Sequence, residues 1–290
     1  MGGIRPAAEE IARLHHSLFP EADGSYILRL LSEIEGMFKG QFLNFQPMDT
    51  AYHDLEHTLQ ATLCWVHLFI SRHASGALPA FDAHDFHVGL VAILMHDLGY
   101  LKERHDDFGT GAKYTFVHER RSCEIAHICL EEKGWSRRDI FVVSHLISCT
   151  GPRAIIDAIP FYSRRDKVLG QMVCTADYLG QMSDPRYVDK LPALWREFEE
   201  SDNFREIPLE NRLFKSFRQM LVGTPSFWQS VVLPKLDQDC GAVYRYLAEP
   251  YPDGPNPYIA QVETNIARIA ALSDEQVNEF ERQAYSDPET

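Results

Sequence analysis

The sequence predicts an all-helical protein. Over most of its 290 residues apolar side chains recur at steps of three and four, and strand-like alternation between turn signals is nearly absent. Apolar residues make up 45% and charged residues 24%, close to the average for soluble domains, so the chain can bury a core. We therefore expect a single domain over 1–290, a multi-helix bundle with its core at about 40–240 and accessory helices at both ends.

The clearest helical stripe runs over 55–76, where Leu55, Leu59, Val66 and Ile70 share one face. A second helix is expected over 82–98, because Gly99 ends its apolar run. The same pattern predicts an amphipathic N-terminal helix and further helices over 119–133, 136–149, 164–182, 185–200, 209–221, 226–236 and 257–271.

The stretch 101–117 interrupts this pattern. It carries two glycines and six charged residues and has no helical stripe, which predicts an irregular loop. Loops of this length inside a compact domain are often functional, although a solvated connection explains the composition equally well.

Charge and cysteine usage narrow the class of protein. With 28 basic and 42 acidic residues the formal net charge is −14, which disfavours extended nucleic-acid binding and docking on anionic membranes. Six irregularly spaced cysteines and the absence of a leader pattern predict reduced thiols in a cytoplasmic protein. No apolar run approaches the roughly 20 residues of a membrane-spanning helix. The sequence leaves the oligomeric state open.

Histidines and aspartates on five different predicted helices form the candidate site. They are His57, the pair His96 and Asp97, His118, His145 and Asp177. Imidazoles and carboxylates converging from rigid helices are what a divalent metal needs, and a carboxylate can bridge two ions. Polar groups at the end of the buried helix 82–98 cost several kcal/mol unless they are paired or coordinated. A capping or ion-pairing role for Asp97 is the alternative.

Three segments occur in a characteristic order: YHDLEH at 52–57, MHDLGY at 95–100 and TAD at 175–177. In these the chain resembles the HD-domain metal-dependent phosphohydrolases, and its first segment resembles the opening motif of the class I cyclic-nucleotide phosphodiesterases, which share a helical fold. The resemblance implies that His53 is a general acid and His57 a metal ligand. Residues four apart lie one helical turn from each other, so both roles can serve one bound phosphate. A structural histidine at a helix end is the alternative for His53.

Similarity to dinuclear HD proteins implies that His118 and His145 are additional ligands. In this model one ion binds His57, His96, Asp97 and Asp177, the other binds Asp97, His118 and His145, and a bridging hydroxide attacks phosphorus. The cofactor is thus one or two divalent ions, with Mn, Fe, Zn, Co, Ni and Mg all open. His118 could instead cap its helix, and His145 could be a core histidine.

Substrate contacts are expected from four residues. Lys113, flanked by glycines, and Arg121 would bind phosphate, with Lys113 also assisting catalysis. Gln181, one turn beyond Asp177, would bind a base or a hydroxyl group. The segments 191–200 and 226–236 resemble later phosphodiesterase helices, which implies that Phe227 clamps a ring.

The chain departs from the phosphodiesterase pattern at three places. Thr224 stands where the purine-reading glutamine is expected, Asp54 replaces an asparagine, and HDxDH becomes HDLGY. Purine cyclic nucleotides are therefore not the expected substrates.

The resulting hypothesis is a metal-dependent phosphohydrolase acting on a small phosphomonoester or phosphodiester. A mixed-valent di-iron oxygenase resembling myo-inositol oxygenase uses the same ligand set, although it has no need for a leaving-group acid at His53. A non-catalytic ligand-sensing HD module is the third possibility, and the complete ligand set disfavours it.

Overall fold

The computed structural model describes residues 4–286, and it confirms the all-α prediction. Within this range the only β-type pairing is an isolated bridge between Phe45 and Glu103. The described residues form a bundle of twelve α-helices: α1 Ile4–Leu18, α2 Tyr26–Phe38, α3 Leu55–Ala74, α4 Ala83–Met95, α5 His118–Glu132, α6 Arg137–Ile147, α7 Arg164–Met182, α8 Tyr187–Phe204, α9 Phe217–Phe227, α10 Leu233–Asp237, α11 Pro257–Ala270 and α12 Asp274–Tyr285.

Helices α3 and α7 form the most extensive helix pair of the bundle. Their backbones meet at Gly180, where a Cβ atom would lie 2.6 Å from the Cα of Ala61. A larger residue would therefore push the two helices apart. This close approach brings Asp177 on α7 next to His57 on α3.

The start of α3 and the end of α4 are set by local chemistry. Asp54 caps α3 and accepts a hydrogen bond from the backbone amide of His57 at 2.8 Å. Helix α4 ends at Met95, earlier than the predicted residue 98, and the chain continues into a 3₁₀ turn at Leu98–Tyr100. Because residues 88–95 are all buried, the polar pair that follows α4 lies inside the bundle.

The later helices differ from the prediction. Residues 209–221 contain only a short 3₁₀ turn at Leu209–Asn211 before α9 begins at Phe217, where Ser216 accepts from the amide of Gln219. The predicted helix 226–236 is divided by a π-helical turn at Trp228–Val232. Pro234 has no amide hydrogen to donate to the preceding turn, which accounts for this change of helix type.

The loop 101–117 is irregular, as predicted, apart from a 3₁₀ turn at Gly111–Tyr114. It is fastened to α8 because Glu200 accepts hydrogen bonds from the amide and the hydroxyl of Thr110, at 2.5 and 2.6 Å. All six cysteines are free thiols, and five of them are buried. None of the helices within residues 4–286 combines the length and apolar character needed to cross a membrane.

Candidate metal centre

Four predicted ligands meet at the centre of the bundle, from α3, the end of α4, and α7. His57 Nε2 and His96 Nε2 each lie 3.2 Å from Asp97 Oδ2. The same two nitrogens lie 3.6 and 3.4 Å from Asp177 Oδ1. The structure thus brings together two imidazoles and two carboxylates that are up to 120 positions apart in the sequence. We refer to these four residues as the histidine–aspartate cluster.

Asp97 faces histidines with both of its oxygens. Its Oδ2 faces His57 and His96, whereas its Oδ1 lies 3.5 Å from His118 Nε2 at the start of α5. His118 is therefore next to the cluster, on a different oxygen from the first two histidines. The role of Asp97 as a ligand shared by two ions stays a prediction.

Backbone contacts orient two of these rings. His96 Nδ1 lies 2.7 Å from the carbonyl oxygen of Ile93, and His118 Nδ1 lies 2.7 Å from that of Thr115. A carbonyl only accepts hydrogen bonds, so the proton of each neutral ring sits on Nδ1 and Nε2 presents a lone pair. Metal-binding histidines are commonly oriented by this kind of contact.

Three atoms of the cluster are buried and have no hydrogen-bond partner within residues 4–286: His57 Nε2, His96 Nε2 and Asp97 Oδ2. The three residues are at most 3% exposed, and a ligand atom from each lies within 4.8 Å of the others. Unsatisfied buried polar atoms cost free energy, which a cation among them would recover. The residues therefore fit a divalent metal that accepts nitrogen and oxygen ligands.

Neighbouring charges shift the pKa values of the residues in the cluster. Burial by itself would lower the pKa of His57, but Asp177 and Asp97 outweigh it and raise that pKa to about 9. Burial likewise opposes ionisation of Asp177, yet the nearby imidazoles of His57 and His96 lower its pKa to about 2. Protein groups alone thus favour imidazolium rings beside carboxylates. A metal ion must displace these protons to bind.

Glu197 on α8 is a site residue that the sequence analysis missed. Its Oε2 lies 2.5 Å from His53 Nδ1, and its Oε1 accepts a hydrogen bond from the amide of Tyr52 at 2.6 Å. The carboxylate is 4% exposed. The His53 ring is 5.4 Å from that of His57, so the predicted acid lies beside the cluster. The local sequence has further acidic residues at 199 and 200, so it carries no signal that distinguishes Glu197 from its neighbours.

Tyr100 is a second residue that the sequence analysis did not single out. Its ring stacks between those of His53 and His118, with both centroid distances 4.6 Å. The preceding Gly99 makes this possible, because a Cβ atom there would lie 1.9 Å from the carbonyl oxygen of His118. The signal was present in the MHDLGY segment, whose last two residues bring the 3₁₀ turn against α5.

Gln181 lies beside the cluster, as predicted from its position one turn after Asp177. Its Oε1 accepts a hydrogen bond from the Tyr52 hydroxyl at 3.0 Å, and its Nε2 lies 3.3 Å from the carbonyl oxygen of Asp177. The latter contact is long, so the amide NH₂ retains capacity to donate.

The two predicted phosphate-binding cations already have protein partners. The buried ammonium of Lys113 donates to the Asp106 carboxylate and to the carbonyl of Phe108. Arg121 donates to the carbonyls of Gly99 and Leu101, at 2.7 and 2.6 Å. Arg121 therefore fastens the turn that follows Asp97, and Lys113 fastens the loop 101–117. Phosphate binding by either side chain would require these bonds to be given up.

Two further predicted residues lie where no described contact joins them to the cluster. His145 on α6 has its ring 6.0 Å from those of Phe161 and Tyr162, and its Nδ1 is buried without a partner. Phe227 is partly buried at the end of α9, a helix that packs on α8, α11 and α12. Their predicted roles, as second-ion ligand and ring clamp, stay predictions.

A family model described as Npun_R2479-like matches residues 161–268. The matched segment includes Asp177, Gln181 and Glu197, and it excludes His57 and the pair His96 and Asp97. No curated protein matches the chain.

Proposed function

We propose that this protein is a metal-dependent phosphohydrolase of the HD-domain type that acts on a small phosphomonoester or phosphodiester. The observation that carries the proposal is the pairing of His53 with Glu197 directly beside the histidine–aspartate cluster. A site that only held a metal would not need an additional, separately oriented imidazole at this position.

His57, His96, Asp97 and Asp177 would hold a divalent ion, which when bound supplies Lewis-acid activation of water and of the phosphoryl group. His118 Nε2 and Asp97 Oδ1 offer two further donors on the other side of Asp97. This pair is the basis for a second ion, with His145 as its third proposed ligand.

His53 would donate the proton that the leaving group needs. Glu197 holds His53 Nδ1, which leaves Nε2 free to carry a proton towards a departing oxygen. Because the other oxygen of Glu197 is bound by the amide of Tyr52, the carboxylate keeps its orientation while the proton moves.

Gln181 and Tyr52 form a neutral wall beside Asp177. Uncharged amide and hydroxyl groups suit a hydroxyl or a heterocyclic edge better than a second phosphate. This wall is where we place the non-phosphate part of the substrate.

The test is metal analysis of the purified protein together with a panel of phosphomonoesters and phosphodiesters, assayed with and without chelator. We expect hydrolysis that a chelator abolishes and a divalent metal restores. His53→Ala should lose at least about 100-fold in turnover and retain its metal. The matched control is His67→Ala on α3, the helix that follows His53, since His67 is exposed and contacts Tyr258 at 2.7 Å.

Three outcomes would contradict the proposal. If the metal-loaded protein hydrolysed nothing in the panel, the assignment as a phosphohydrolase would be wrong. Oxygen uptake coupled to substrate loss would favour the di-iron oxygenase instead. Loss of metal in His53→Ala would make His53 a ligand rather than an acid.

A further inference from the structure

A cavity of about 170 Å³ lies between α2, α4 and α5, apart from the histidine–aspartate cluster. Helix α4 contributes His87, Val91 and Met95, which are four residues apart and share one face of the helix. Helix α2 contributes Tyr26 and Leu30 from the opposite side. None of these residues belongs to the histidine–aspartate cluster, and this inference does not depend on the proposed hydrolase activity.

The walls of the cavity are aromatic and rich in sulfur. The rings of Tyr26 and His87 lie 3.9 Å apart, and Trp135 meets His87 edge-on at 4.8 Å. Met37 and Met95 add thioether groups, which contact aromatic rings favourably. Burial lowers the pKa of His87 to about 4, so this ring is an uncharged wall at neutral pH. The Tyr26 and His87 rings already touch, so a flat aromatic guest would pack against this group of rings rather than between its members.

Among the charged residues of the lining, Arg29 keeps most of its hydrogen-bond donors unused within the described residues, although the Asp23 carboxylate lies in its electrostatic range. Lys133 Nζ lies 2.8 Å from Glu33 Oε2, so these two charges neutralise each other. Among the described residues, the exposed guanidinium of Arg29 has a single weak hydrogen bond, to the Ser25 hydroxyl at 3.4 Å. A guanidinium with free donors matches a carboxylate in shape and in charge.

We propose that this cavity binds a small aromatic carboxylate, with its ring in the space lined by Leu30, Val91 and Trp135 and its carboxylate on Arg29. The volume limits the ligand to one or two rings, because pockets for nucleotide-sized or drug-sized ligands have about 300–1,000 Å³. Tyr26 also has a buried hydroxyl without a hydrogen-bond partner, which a polar atom of a ligand would satisfy.

The test is calorimetric titration of the full-length protein with indole-3-carboxylate and, in parallel, with neutral indole. We expect saturable binding of the carboxylate with a Kd below about 1 mM, and binding of indole at least about fivefold weaker. Leu30→Trp fills the cavity from α2 and should weaken binding at least about tenfold. Leu28→Trp is its matched control, because Leu28 is on the same helix, is 48% exposed and does not line the cavity.

A second pair of variants tests the charge without altering the core. Arg29→Ala should remove the preference for indole-3-carboxylate over indole, whereas Arg120→Ala, an exposed arginine on α5 paired with Glu124, should leave it unchanged. This pair decides the matter if Leu30→Trp fails to fold. Asp97→Asn should retain binding, which separates the cavity from a metal-bound carboxylate.

The proposal is overturned by any of four results. These are no saturable binding up to about 5 mM, equal binding by folded Leu30→Trp, equal affinity for indole and its carboxylate, and loss of binding in Asp97→Asn.

Discussion

Two groups of buried charge in this protein differ in how their polar atoms are satisfied. In the loop 101–117, Lys113 is paired with Asp106, and Lys102 lies 2.9 Å from Asp49 Oδ2 and 2.6 Å from the carbonyl of Gly109. We call this the lysine group. In the histidine–aspartate cluster, by contrast, three buried atoms lie close together but have no hydrogen-bond partner within the described residues.

The difference shows that burial of charge is not in itself a sign of function. Both groups place charged side chains where water is excluded, and in both cases desolvation is unfavourable. The lysine group offsets this within the fold, so its charges hold a loop in place. The histidine–aspartate cluster leaves part of the unfavourable free energy uncompensated, and a bound cation would supply that compensation.

The largest expected effect is on metal affinity, and it distinguishes the histidine–aspartate cluster from the lysine group. Asp97→Asn should weaken metal affinity by about 1000-fold, since even outer-shell partners of a metal typically contribute 10- to 100-fold. Metal content after dialysis, measured by mass spectrometry, checks this. Asp106→Asn in the lysine group should leave metal content unchanged. A metal-loaded Asp97→Asn protein would show that Asp97 is not a metal ligand.

Lys113→Met should act on stability instead. It leaves the Asp106 carboxylate, 17% exposed, without its ammonium partner, so we expect a loss of about 3 kcal/mol in the free energy of unfolding. Denaturation by urea measures the effect, with Lys39→Met as the control, because Lys39 is 57% exposed and should change little. If Lys113→Met kept its stability but lost substrate binding, Lys113 would belong to the active site after all.

Glu197→Gln tests whether Glu197, whose two carboxylate oxygens both have partners, contributes to catalysis. We expect kcat to fall about 30-fold with metal content unchanged, because an amide can orient His53 but carries no negative charge to assist proton transfer. Steady-state assays on the best substrate of the panel check this. Glu199→Gln, two positions along the same helix, is the control and should be unaffected. A loss of metal in Glu197→Gln would mean that Glu197 shapes the cluster rather than the acid.

The smallest expected effect is on stability. It follows from a comparison of His57, which lies beside carboxylates, with His87, which is buried among aromatic rings. Carboxylates raise the pKa of His57 to about 9, whereas burial among aromatic rings, with help from His84 and His15, lowers that of His87 to about 4. A His87 pKa below its unfolded value of about 6.5 contributes stability above pH 6.5, and this is lost as the pH falls towards 4.

Because His87 is partly exposed, we expect its contribution to the free energy of unfolding to be about 2 kcal/mol. Urea denaturation at pH 7 and pH 4 should therefore show wild type losing about that much more stability than His87→Phe. His16→Gln, which alters an exposed histidine, should lose as much as wild type. Equal losses in wild type and His87→Phe would show that His87 is not held neutral.

Much of the candidate site could be predicted from residue types and spacing. The motif order singled out His57, His96, Asp97 and Asp177, and the helical repeat placed them at polar ends or inner faces of helices. The all-α class followed in the same way. These features are local, since a period of 3.6 residues and a capping aspartate such as Asp54 involve neighbours within one or two turns.

Contacts between distant segments were not predictable. Glu197 meets His53 across 144 positions only because α8 lies against the start of α3, and the spacing of either residue carries no trace of the other. Lys113 and Arg121 looked free to bind phosphate, but the loop 101–117 folds back on itself and on the turn after Asp97. The type of a side chain and its position in the helical repeat determine which chemistry it can offer. Its partner depends on how helices pack, down to single close approaches at Gly180 and Gly99.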